Sequence, residues 1–178
     1  MKSITLLTLL TSLSISAFAA DSSITQSYIQ LSEQKKLEQD KTWLRLMYAN
    51  EKGKSEVEYS GYFLSNQGKS DLKKELHSNI QALFQSAESN QSVRCRFPAR
   101  SQWIMRQLEI QESELPAVEC PEYDQWMGQI KPYKATLIYA TDFMGNPSSM
   151  FGHTLLRLDP KDQKQLNLVS YAINYAAT

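Results

Sequence analysis

Of the residue types able to move a proton near neutral pH, His153 has the most informative surroundings. It lies within Asn146 to Leu158, NPSSMFGHTLLRL, where a loop enters a run that reads as a strand, Thr154-Leu155-Leu156-Arg157-Leu158. A histidine at such a junction is held by a rigid scaffold yet can face a cleft, and a general base needs both. Upstream, Gly145-Asn146-Pro147 combines a residue free in φ, one tolerant of the left-handed region and one with φ locked by its ring. That combination turns the chain. The plainer reading of His153 is a histidine that caps this turn or packs at a strand end.

Other chemistries have less support. Ser149 and His153 would make a serine–histidine pair, but no Gly-x-Ser-x-Gly elbow surrounds the serine and no acidic partner is evident. A serine beside a turn usually caps it. A metal site would have to combine His153 with Asp142 or Asp159, and the second histidine, His77, lies far away in the chain. These are too few ligands, so neither a metal nor any cofactor is expected.

The start of the chain fixes the compartment. Met1-Lys2 and the apolar run Ile4 to Phe18 form a stretch too short to span a bilayer comfortably. Ala17 and Ala19 supply the small residues that signal peptidase needs, so residues 1–19 read as a signal peptide and the mature protein should begin at Ala20. No lipobox cysteine follows. In an oxidising compartment Cys95 and Cys120, the two cysteines of the chain, should close a disulfide. As nucleophiles they fit poorly: Cys120 precedes Pro121, and Cys95 lies between two arginines in a polar segment.

Composition narrows the class. The 178 residues carry a net charge of zero with 42% hydrophobic and 21% charged residues. A packed core is within reach, and no basic field points to nucleic acid. From Ile24 to about Glu51 apolar residues recur at helical spacing, with a break near Lys35-Lys36. Trp43, Leu46, Met47 and Tyr48 are expected in the core. Glu56 to Ser65 reads as a short strand or extended loop. Asp71 should cap a helix through Leu72, Leu76, Ile80, Leu83 and Phe84, with His77 solvated or packed on that helix. A further helix is expected over Ser101 to Leu108, and a helical turn over Tyr123 to Met127. The arginines at 94, 96, 100 and 106 read as a solvated face.

Beyond Gly128 to Pro132 the periodicity changes. Ala135 to Thr141, Thr154 to Leu158 and Leu166 to Tyr175 read as strands, with Asp159-Pro160-Lys161-Asp162 turning between the last two. Helices followed by closely connected strands indicate an α+β arrangement. The expected division is a mainly helical region over 20–129 and a second domain starting at 130. Because the chain stops directly after a strand, it reads as the N-terminal part of a longer protein.

NPSSMFGHTLLRL followed by LVSYAINYAA resembles the Lnb N-terminal periplasmic domain family of exported bacterial proteins over roughly Ile130 to Thr178. The preceding segment, with Trp43-Leu44, Gly61-Tyr62-Phe63-Leu64 and Cys95-Arg96-Phe97-Pro98-Ala99-Arg100, resembles the helical region that commonly precedes that domain. The family in turn resembles permuted papain-type folds, related to the NlpC-type cell-wall hydrolases and to lecithin:retinol acyltransferase. The resemblance implies the first strands of an antiparallel papain-like sheet and a location in the periplasm or envelope of a Gram-negative bacterium. It also implies a thiol acyltransferase or hydrolase, with N-acylation of lipoproteins as one such activity and lipid or lipoprotein at the membrane surface as substrate. His153 matches the general base. Asn146, Pro147, Ser149 and Gly152 match the motif as residues that shape the turn. The Asn-Cys nucleophile of those folds, which comes later on a helix, has no counterpart after His153 and is expected downstream of Thr178. As written, the chain is expected to be catalytically incomplete. The rival reading is a non-catalytic envelope binding or assembly module.

Overall fold

A computed structural model describes residues 23–140, 153–161 and 171–174. The chain separates into two compact units, one up to Cys120 and one from Pro121.

The first unit is helical. Residues 23–34 form helix α1, and the chain breaks at Lys35-Lys36, where Lys36 adopts a positive φ of 53°. A 3-10 turn, Leu37–Gln39, leads to α2, Lys41–Leu46. Asp40 caps α2 by accepting from the Thr42 amide at 2.7 Å. Helix α3, Leu72–Leu83, starts as the sequence indicates: the Asp71 carboxylate accepts from the Lys74 amide at 3.0 Å. Such a cap stabilises a helix by about 1 kcal/mol. Helix α4, Val93–Arg96, is short and runs almost directly into α5, Pro98–Leu108. Pro98 sits in the first turn of α5, where its missing N–H costs nothing.

These helices enclose one core. Trp43, Met47, Leu76, Ile80 and Ile104 are fully buried, and Trp43 stacks on Trp103 with ring centroids 5.7 Å apart. The Trp43 indole donates to the Leu72 carbonyl at 3.2 Å, so its polar edge is satisfied where its rings are buried.

Three expectations for this unit need correcting. Tyr48 is not core: it is 63% exposed and has a φ of 50°, because the chain reverses there to place its carbonyl against the Glu56 amide. The helix expected to start at Ser101 starts at Pro98, since proline opens a helix as readily as it ends one. The arginines at 94, 96, 100 and 106 are not one solvated face. Arg100 is buried, and Arg94 donates to the Pro116 carbonyl. Segment 56–65 is an irregular loop with a 3-10 turn at Ser60–Tyr62.

Among the described residues the second unit contains α6, Pro121–Ile130, longer than the single turn expected, and three strands. These are β1, Pro132–Ala140, β2, His153–Pro160, and β3, Tyr171–Asn174. They form an antiparallel sheet in the order β1-β2-β3. Asp159 and Pro160, expected in a turn, are the last two residues of β2 and pair with Lys134 and Pro132. Helices followed by an antiparallel sheet make the chain α+β, as its pattern indicates.

Candidate functional site

His153 is the first residue of β2 and is paired with Ala140, the last residue of β1. Its backbone is therefore fixed by a sheet ladder on the β1 side, as the loop-to-strand reading requires. Side chains alternate across a strand, so His153 shares a face of β2 with Leu155, Arg157 and Asp159. The register adds Lys134, Thr136, Ile138 and Ala140 from β1, and Ala172 and Asn174 from β3, to that face.

The far end of this face is polar and well satisfied. Asp159 is 5% exposed; it accepts from the Thr136 hydroxyl at 3.0 Å and meets the Arg157 Nε at 2.8 Å. The carboxylate weighed and set aside above as a metal ligand is thus engaged by a cation and a hydroxyl. The opposite face of β1 is apolar and open: Leu137 is 72% exposed and Tyr139 63%. Among the described residues no group of three or more metal-ligating side chains occurs.

Asn146, Pro147, Ser149 and Gly152, the turn-shaping residues, and Asp142 lie outside the described residues, as does the signal segment at 1–19. The structure brings neither cysteine into a reactive role. Cys95 on α4 and Cys120 are joined in a disulfide within the first unit, with Cα atoms 5.2 Å apart. The same connection is reinforced by Ser89, whose hydroxyl donates to the Glu119 carbonyl at 3.2 Å, and by Arg94 on the Pro116 carbonyl.

His77 sits on α3, with Nε2 3.5 Å from a Glu33 carboxylate oxygen. Partial burial pushes its pKa below the usual histidine value, against the opposing pull of Glu33. A histidine that favours its neutral form while packed on a helix is a structural residue, as its isolated position in the sequence indicates.

Sequence reasoning overlooked the most elaborate polar arrangement of the first unit. Glu75, fully buried, accepts from the backbone amides of Leu64 at 3.0 Å and Ser65 at 2.8 Å and from the Asn79 side chain at 2.8 Å. Arg100 lies 3.5 Å from it. The signal was present: Glu75 falls on the apolar stripe of α3 between Leu72 and Asn79, where a carboxylate has to find partners.

Comparison with known families divides the chain much as its chemistry does. Residues 35–107 match a domain of unknown function, DUF7843, and residues 122–178 match the Lnb N-terminal periplasmic domain. No curated protein and no solved structure gives a significant match. The second match covers all three strands and His153. The domain it matches is described as periplasmic. No described helix is long and apolar enough to cross a membrane.

Proposed function

With residues 122–178 belonging to the Lnb N-terminal periplasmic domain family, we propose that this protein serves a thiol-dependent acyl transfer or acyl hydrolysis in the envelope of a Gram-negative bacterium, with His153 as general base. The observation that carries the reading is the place of His153. It starts a strand paired on the β1 side, on a sheet face that also carries polar residues. The sheet is read as the opening part of a permuted papain-like domain that begins at about residue 130, after a mainly helical region over 20–129.

The chemistry follows from what an imidazole supplies. His153 takes the proton of a thiol, the thiolate attacks an acyl carbonyl, and the imidazolium returns the proton to the leaving group. The resulting thioester is then opened by an amine or by water. Lipid as acyl donor and the N-terminal amine of a lipoprotein as acceptor are the proposed substrates. Both cysteines of the chain are tied up in the disulfide, so the proposed nucleophile is a thiol other than these two. The same absence of a free thiol favours the second reading, a non-catalytic binding or assembly module.

The test uses the complete gene product, exported to the periplasm, and a thiol-directed acyl probe. A covalent acyl-enzyme is expected, with the mature protein beginning at Ala20. His153→Ala should lower its rate of formation about 100-fold or more, while His77→Ala leaves it unchanged. Leu155→Ala serves as the control for weakened packing, so stability is measured with rate. Normal acylation in the His153→Ala protein returns His153 to a turn-capping role and supports the binding module.

A further inference from the structure

Tyr48 is an unexpected residue for the place it holds. Its amide donates to the Arg45 carbonyl at 3.1 Å, and the Ala49 amide donates to the Leu44 carbonyl at 2.9 Å. That pairing ends a helix through one residue in the left-handed region, a position glycine fills without strain. A tyrosine fills it here at φ 50°, and its ring gains no burial in return. Residues held in such sparsely populated conformations gather at binding sites. Tyr59 is its counterpart at 74% exposed. With Ile24, these two are the exposed large hydrophobic side chains among the described residues of the first unit.

Between the two tyrosines the chain lines a polar cleft of about 610 Å³, with Asn50, Lys54, Glu56 and Glu58 facing Lys69 and Ser70. Backbone bonds hold its walls. The Asn50 amide donates to the Lys54 carbonyl at 2.8 Å, the Glu56 amide to the Tyr48 carbonyl at 3.0 Å, and the Ser55 amide to the Lys69 carbonyl at 2.9 Å. The Asn50 side-chain oxygen accepts from the amides of Lys52 and Lys54 at 3.0 and 3.2 Å, so its NH2 group is what remains for a ligand. Lys69 meets Glu58 at 2.6 Å, while the side chains of Lys54 and Glu56 make no hydrogen bond or ion pair with another described residue. The rings beside the cleft are also positioned. Tyr48 packs edge-on against Tyr62 with centroids 6.3 Å apart, and the Tyr59 ring lies so close over Gly61 that a Cβ there would come within 2.5 Å of it.

We propose that this surface of the helical unit binds a neutral oligosaccharide, with Tyr48 and Tyr59 stacking on sugar faces and the cleft satisfying the sugar hydroxyls. The C–H face of a pyranose is apolar and suits the face of an aromatic ring, while the hydroxyls around it need both donors and acceptors. Lys54, Lys69 and Asn50 supply the donors, and Glu56 and Glu58 the acceptors. The charges decide against other partners. Two ammonium groups and two carboxylates cancel, so the cleft lacks the cationic field that gathers anionic lipid or nucleic acid. The site lies in the first unit and is independent of the catalytic reading of His153, so failure of either leaves the other standing.

The test is calorimetric titration of the exported chain, its disulfide formed, with chitotetraose, cellotetraose and maltotetraose, and in parallel with phosphatidylglycerol vesicles. At least one tetrasaccharide should bind, with an affinity that added salt leaves unchanged. Tyr48→Gly and Tyr59→Ala should each weaken that binding about 10-fold. The unfolding midpoint of Tyr48→Gly should equal or exceed that of the parent, because glycine suits the left-handed position; this separates a lost contact from a damaged fold. Gly61→Ala keeps every tyrosine but displaces the Tyr59 ring, and should weaken binding as well. Tyr48→Gly and Tyr59→Ala proteins that bind as the parent does overturn the assignment, as does a parent that binds none of the three sugars. A parent that binds only the vesicles, and through the same tyrosines, overturns it in favour of a membrane contact.

Discussion

Arg100 and Glu75 meet inside the helical unit at 3.5 Å, with side chains 4% and 0% exposed. Each also holds the loop that runs between α2 and α3. Glu75 accepts from the amides of Leu64 and Ser65, and Arg100 donates to the Tyr62 carbonyl at 2.8 Å. The guanidinium lies between two rings, 3.9 Å from the centroid of Tyr62 and 4.3 Å from that of Phe97. Opposite charges therefore fasten the Tyr62 carbonyl and the Leu64 and Ser65 amides of one loop. Gly68 is part of the arrangement: a Cβ there would come within 2.3 Å of the Glu75 carboxylate.

The pair should behave as a buried pair rather than as a surface bridge. Glu75→Ala leaves Arg100 charged and buried and should cost about 3–5 kcal/mol in urea unfolding. The double variant Glu75→Ala, Arg100→Met should recover part of that loss. A single variant within about 1 kcal/mol of the parent would place the pair with weak exposed bridges instead.

The disulfide closes a loop of 25 residues. Cys95→Ala should lower stability by about 3 kcal/mol, the entropy returned to the unfolded chain. Equal unfolding midpoints for the parent and Cys95→Ala would mean that Ser89 and Arg94 hold the segment without it.

Tyr28 gives an alkaline signature. Burial, together with a hydrogen bond to the Glu114 carboxylate at 2.7 Å, pushes its pKa up to about 12. The folded state therefore favours the neutral phenol. This contribution is complete below the ordinary tyrosine value, about 10, and is lost as pH rises through about 12. A spectrophotometric titration should show one late-ionising tyrosine that is missing in Tyr28→Phe. Identical titration curves for the two proteins would remove Glu114 and burial as the cause.

Periodic features were legible in the sequence, and features that depend on distant partners were not. The α3 cap at Asp71, the break at Lys35-Lys36 and the β1 and β2 segments follow from spacing and local chemistry. The Cys95–Cys120 bridge follows from export and cysteine count. Tyr48 was misread because helical spacing says nothing about where a helix stops: α2 ends at Leu46 and the chain turns at Tyr48 with positive φ. Arg100 was misread because its partner, Glu75, lies 25 positions earlier, beyond the reach of any local pattern.

The placement of Cys120 has a consequence for the order of events as the chain emerges. Every residue of the helical core, from Ile29 to Leu115, precedes it in the chain. A polypeptide that emerges from its N-terminus presents that whole core, and both sulfur atoms, before the first strand. Oxidation can then seal the helical unit before β1 to β3 have emerged. The strands then fold after the helical unit is closed, so they do not compete with an unfolded helical core for the same partners.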